Sequence, residues 1–299
     1  MSQIEEPRYC LFEHKYENKE WVGYTKFIPE VLAVRIGVKP VMRIPINPNF
    51  GYPKFKELCK RFGLVTGLSD YQIREPYTPK DILPSKTPYG HYFMYVSRTQ
   101  DLIELAKKYD LYDQDRFGEL MGYPRCCIDY YSRVSNSPPV HEVYGYVHSK
   151  RPLFWQNNYL LRFNSNYYLH AYFLCSFDCM DSRKRGQKIF EAIRKFDEVY
   201  ARKIEHHLKL PILLDDTRPG GILHNWDRLK GVVFNGSWHN NIIVYSGQLS
   251  LWQGAYFPIF SKSNQVLINA DSMYLYSDGR LIGKIKITNN FESFFLQFS

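Results

Sequence analysis

The chain changes its period at Pro211. Upstream of it, Ile189, Ile193, Phe196, Tyr200 and Ile204 recur at helical spacing as one apolar stripe among Arg, Lys and Glu. Downstream, the runs GVVFNGSW, NIIVYSG, QVLINA, MYLYSDGRLIGKIKI and SFFLQF are β-rich and separated by Gly, Asn and Ser. SDGR within them is a hairpin turn. The pattern predicts an α+β fold: a mixed α/β part over 1–210 containing a long helix, then a small antiparallel β-rich domain over 211–299. At 299 residues, two domains agree with length.

The elements expected upstream are short. VLAVRIGVKPVMRIPI, residues 31–46, reads as strand, turn, strand, and residues 52–64 as a helix stopped by Gly63. Residues 91–98 read as a strand that runs into a helix over 99–111 capped by Thr99. Helices follow over 113–122, 124–134 and 153–163, and the longest reaches from about residue 181 to Leu208.

The next constraint is the stretch MGYPRCCIDYY, residues 121–131, which places two of only six cysteines side by side. Gly122 suits the position just past a helix, and Pro124 the first position of the next one. Cys126 and Cys127 then fall in a first helical turn, where free N–H groups and the helix dipole favour thiolate. Some fifty residues later, HAYFLCSFDCMDS carries Cys175 and Cys179. Their i, i+4 spacing puts both sulfurs on one helix face, or, if Ser176 or Asp178 caps a later helix, near its start.

Four thiols from two helix starts suit a metal ion or an iron–sulfur cluster. Buried core thiols and metal-free thiol exchange are the alternatives. His170 and His141 are candidates for a fourth ligand, and Arg125, Asp178 and Ser182 for tuning the sulfurs. The spacing is neither a pair of CxxC knuckles nor CxxxCxxC. Cys10 and Cys59 read as core or incidental.

Gly122-Tyr123-Pro124-Arg125-Cys126-Cys127, then Cys175-Ser176-Phe177-Asp178-Cys179 with Ser182, resemble an uncharacterised, mainly archaeal family of unknown function over roughly residues 90–205. That family carries Gly-Tyr-Pro-x-Cys-Cys and Cys-Ser-x-x-Cys motifs. The resemblance implies that both cysteine clusters belong to one functional unit. Family members often carry His-Pro before the second motif; this chain has Phe173-Leu174, with His170 further back.

Charge adds a possible partner. Residues 211–299 hold seven Lys/Arg against six Asp/Glu, so nearly all of the formal +9 lies in the first 210 residues. Arg183, Lys184, Arg185 and Lys188 give the long helix a basic face, with RNA or another anionic substrate as its natural partner. The first residues, MSQIEEPRYC, lack the basic and apolar regions of a signal peptide, and no apolar run is long enough to span a membrane. A cytoplasmic protein is expected. Walker A, GxGxxG and HExxH patterns are absent.

The sequence therefore predicts a thiolate-ligated metalloprotein, an enzyme more readily than not. The expected cofactor is a [4Fe–4S] cluster held by three of the four cysteines, with Zn²⁺ as the alternative. A nucleic-acid or protein-binding module with structural cysteines is the other class of reading.

Overall fold

A computed structural model describes residues 27–46, 52–73, 82–83, 91–134, 154–156, 168–172, 174–176, 178–210, 212–215, 230–239, 242–248, 262–269, 272–286 and 294–296. The chain forms two compact units, Met1–Ser132 with Lys184–Ala201, and Arg133–Arg183 with Arg202–Ser299. Every strand pairing in both sheets is antiparallel, and most of the helices follow one another between residues 100 and 208, so the fold is α+β.

The first described elements of the first unit are helix α1 (Ile28–Arg35) and strand β1 (Val41–Ile46), where the sequence reads as two strands. Pro29 fixes the first helical turn, and Ile28 through Val34 are all buried. A short run that is apolar on every side carries no period to separate helix from strand, and here burial on all sides selects the helix. Helix α2 (Tyr52–Arg61) and strands β2 (Val65–Ile73), β3 (Ile82–Leu83) and β4 (His91–Ser97) follow. The sheet order is β1-β4-β2-β3.

Helix α3 (Gln100–Asp110) packs on this sheet, with Ile103 and Ala106 buried against Val41, Tyr95, Phe117 and Met121. Thr99 occupies its N-cap position without a side-chain cap bond. At its other end the buried Asp110 carboxylate accepts from the Tyr95 hydroxyl at 2.5 Å, from the Tyr71 hydroxyl at 3.0 Å, and from the Arg43 guanidinium. Arg43 also stacks over Phe93 and Phe117, 4.2 and 4.8 Å from the ring centres. A carboxylate at a helix C-terminus opposes the dipole, and these three donors offset that cost. Through Phe117 they fix helix α4 (Gln114–Leu120), whose N-terminus is capped by the Asp113 side chain.

Helix α5 (Arg125–Val134) comes next. Of the helix expected over 153–163, the described residues show a single 3₁₀ turn at Phe154–Gln156. The long helix is two helices, α6 (Met180–Phe196) and α7 (Glu198–Leu208). Asp197 divides them, its Oδ1 accepting from the Tyr200 N–H at 2.9 Å and capping α7. No described helix is long and apolar enough to cross a membrane.

The second sheet is seven-stranded, ordered β10-β9-β8-β7-β6-β5-β11. Its strands are β5 (Ile212–Asp215), β6 (Lys230–His239), β7 (Ile242–Gln248), β8 (Gln265–Ile268), β9 (Ser272–Ser277), β10 (Arg280–Lys286) and β11 (Phe294–Leu296). Asp278 and Gly279 turn between β9 and β10 with φ of 49° and 77°, the pair of positive values that a tight hairpin of this hand needs.

Candidate metal centre

The centre is built from the turn between α4 and α5. Gly122 has φ of 68° and closes α4 in a Schellman motif: its N–H reaches Glu119 O at 2.8 Å, and the Tyr123 N–H reaches Gly118 O at 2.9 Å. The Pro124 carbonyl accepts from the N–H groups of Cys127 and Ile128 at 2.9 and 3.0 Å, so Pro124 is the N-cap of α5 and not its first residue. Cys126 and Cys127 still fall in the first turn, as the sequence predicts. Cys126 is exposed and Cys127 is buried. Gly118 lets the two helices meet closely, since a Cβ there would lie 3.0 Å from the Ile128 side chain.

The second pair precedes α6. Cys179 is the residue before Met180, and Cys175 lies in the preceding loop, so the later helix start is the one adopted. Ser176 shapes this loop: its Oγ accepts from the Asp178 N–H at 3.1 Å and its carbonyl from the Cys179 N–H at 3.2 Å. Cys179 is buried and Cys175 half-buried.

The four sulfurs of Cys126, Cys127, Cys175 and Cys179 all lie within 4.8 Å of one another. Cys126 and Cys127 sulfurs stand 4.0 Å apart, twice the length of a disulfide bond at about 2 Å. All four cysteines are thiols, and the cluster is compatible with binding a metal ion. Cys59 differs in kind. It is buried on α2, and burial pushes its thiol up to about 12, which leaves it without thiolate chemistry at neutral pH.

Arg185 is the bracket that holds α6 to the α4–α5 turn. Its Nη1 donates to Val38 O at 2.9 Å and to Gly122 O, and its Nη2 to Met121 O at 3.4 Å. A guanidinium at the C-terminal carbonyls of a helix also meets the negative end of its dipole. Beside Val38, Lys39 and Glu30 form a buried ion pair, and the Lys39 ammonium lies 5.6 Å from the Tyr123 ring centre. Burial holds the Lys39 amine below its ordinary range, against the pull of Glu30.

The remaining candidates are placed as follows. His170 is buried outside the sulfur group, its Nε2 2.7 Å from Trp155 O and its ring 5.2 Å from that of Tyr172. His141 lies outside the described residues. Ser182 is buried and accepts from the Tyr172 hydroxyl at 3.0 Å. Asp178 is exposed. Arg125 points into a ring of carboxylates, with Asp115 and Glu119 at 3.0 Å and Asp129 at 2.8 Å. Arg183, Lys184 and Lys188 are exposed on α6.

Tyr172 and the Lys39–Glu30 pair carried no sequence signal. Gly118 carried one, as a glycine inside a helical pattern. Arg185 was singled out in the sequence for anion contact, whereas its guanidinium is bound to backbone carbonyls.

Both cysteine pairs and the helices that carry them fall inside one matched segment. Residues 96–209 match the model of a family described as Protein of unknown function (DUF483). The matched segment runs from the end of β4 to the end of α7 and stops before the second sheet. No curated protein and no solved structure matches the chain.

Proposed function

We propose that Cys126, Cys127, Cys175 and Cys179 together bind one tetrahedral metal ion, zinc, in a structural centre. The observation that carries this is the spread of the four sulfurs, none more than 4.8 Å from another. A Zn–S bond of about 2.3 Å sets tetrahedral sulfurs about 3.8 Å apart, so the four thiols converge on a single ion with small adjustments. In a four-iron cube each thiolate holds a different iron at the cluster's outer corners, which spreads the ligands further. The donor set favours the single ion over the [4Fe–4S] cluster. Four thiolates also fill the coordination shell and leave no position for substrate, the pattern of structural zinc. Thiolate ligation needs reduced cysteines, so the reading places the protein in a reducing compartment such as the cytoplasm.

The surroundings agree with a structural role. Ser182 already accepts a hydrogen bond from Tyr172, and Arg125 is shared among three carboxylates. One feature favours a second reading: Cys126 is exposed, and its departure would open a coordination position for an enzyme's substrate.

Chelation with melting curves separates the two. A structural zinc should be removed by strong chelator with loss of the folded signal, and the melting temperature should fall in Cys127→Ser and Cys126→Ser alike. If Cys126→Ser keeps metal and fold while Cys127→Ser loses both, the centre is the open, three-cysteine one.

A further inference from the structure

Helix α6 gathers five exposed cations on one face. Some exposed cations elsewhere meet carboxylates, Arg61 with Glu57 at 3.5 Å, Arg116 with Asp113 at 3.3 Å and Arg125 with three partners, while Lys60, Arg98 and Arg133 stand singly without an ion pair among the described residues. On α6, Arg183, Lys184, Lys188, Arg194 and Lys195 are all exposed, and among the described residues none of them has an ion pair. Glu191, the acid between them, instead accepts from Gln187 at 3.3 Å.

This arrangement costs helix stability. Arg183 and Lys184 sit near the N-terminal end of α6, where the dipole repels cations, and Lys184 faces Lys188 at i, i+4. Arg194 and Lys195, near the C-terminal end, are favoured by the same dipole and need no further reason. Arg183, Lys184 and Lys188 are the charges that the dipole does not favour. Arg185 meanwhile ties the helix to the α4–α5 turn, which fixes the face that its neighbours present.

We propose that this face docks on the phosphate backbone of a nucleic-acid duplex, through Arg183, Lys184 and Lys188, with Arg194 and Lys195 extending the contact. Lys184 to Lys195 spans about 16 Å at 1.5 Å per residue. A duplex presents roughly ten phosphate charges over that length. The exposed positions 180, 181, 183, 184, 187, 188, 194 and 195 carry no aromatic ring, so the face offers nothing to stack single-stranded bases on. Its apolar side, Ile189, Phe190 and Ile193, is buried in the protein, so the helix cannot lay that side into a membrane interface. The inference does not depend on the metal.

The test is fluorescence anisotropy of the full-length protein with a labelled DNA duplex, a labelled RNA duplex, and anionic phosphatidylserine vesicles. Binding to at least one duplex is expected, weakening about 40-fold between about 50 and 200 mM salt for three phosphate contacts. Lys184→Gln/Lys188→Gln should weaken binding at least tenfold and lower the salt slope by about 2, with metal content and melting temperature unchanged. Arg61→Gln, a cation already paired with Glu57, should bind as the parent does. Lys188→Glu alone, more than two turns beyond Cys179, must also weaken binding, which keeps the test valid if the double variant disturbs the centre. The proposal is overturned if neither duplex binds at about 50 mM salt, if the α6 variants bind like the parent, if Arg61→Gln loses as much, or if only the vesicles bind.

Discussion

Gly122 concentrates several demands in one backbone position. Its φ of 68° closes α4, its carbonyl receives Arg185, and a Cβ there would lie 2.9 Å from the Arg185 guanidinium and 3.0 Å from Val38 O. Left-handed backbone costs a residue with a Cβ about 1–2 kcal/mol. Val38 O is backbone and cannot swing away, so Gly122→Ala adds a clash to that cost. Gly63 is the control, with φ of 69° and nothing within 4 Å of its would-be Cβ. In urea titrations Gly63→Ala should lose about 1 kcal/mol, and Gly122→Ala at least about 1 kcal/mol more. Equal losses would mean that the close approach of Arg185 is not as drawn. The glycine, Pro124 and the adjacent cysteines were all legible in the sequence, because turn and cap chemistry is local. Arg185 was not: in a run of Arg183-Lys184-Arg185 nothing local says which cation turns inward to carbonyls.

At the scale of elements, Asp197 shows how a strong pattern hides a break. Ile189, Ile193, Phe196, Tyr200 and Ile204 keep one helical stripe across it, so periodicity predicts one helix. The structure breaks there because the Asp197 carboxylate offers the Tyr200 N–H a partner at 2.9 Å that an uninterrupted helix would not. Asp197→Ala removes that cap, a loss of about 1 kcal/mol, and gains back a few tenths from better helix propensity. Thermal melts should therefore show a net loss of about 0.5–1 kcal/mol. A variant as stable as the parent would mean that the cap contributes nothing and the two helices could be one. The opposite failure occurs at α1, where the apolar run 31–36 carries no period, and Pro29, the signal for a helix start, lies just before it.

Across the whole molecule, the class of fold was legible because the helices between residues 100 and 208 give way to strands after Pro211, and the SDGR hairpin was visible in four residues. The strand order was not. That β11 pairs with β5, with five other strands between them in sequence, depends on contacts far apart in the chain, which local patterns do not encode. The same limit applied to the sulfurs. Sequence supplied the two pairs, and only the fold could bring them within 4.8 Å of each other. His170, offered as a fourth ligand, lies outside the sulfur group, with its Nε2 at the Trp155 carbonyl and its ring beside that of Tyr172.

The central claim is that these four sulfurs share one ion. Elemental analysis with zinc-edge X-ray absorption, on protein purified without added metal, tests it most directly. The account predicts one zinc per chain with four sulfur neighbours at about 2.3 Å, absent from Cys127→Ser and Cys179→Ser. Iron with inorganic sulfide, nitrogen or oxygen in the zinc shell, or metal-free protein with all four thiols titrating would contradict it.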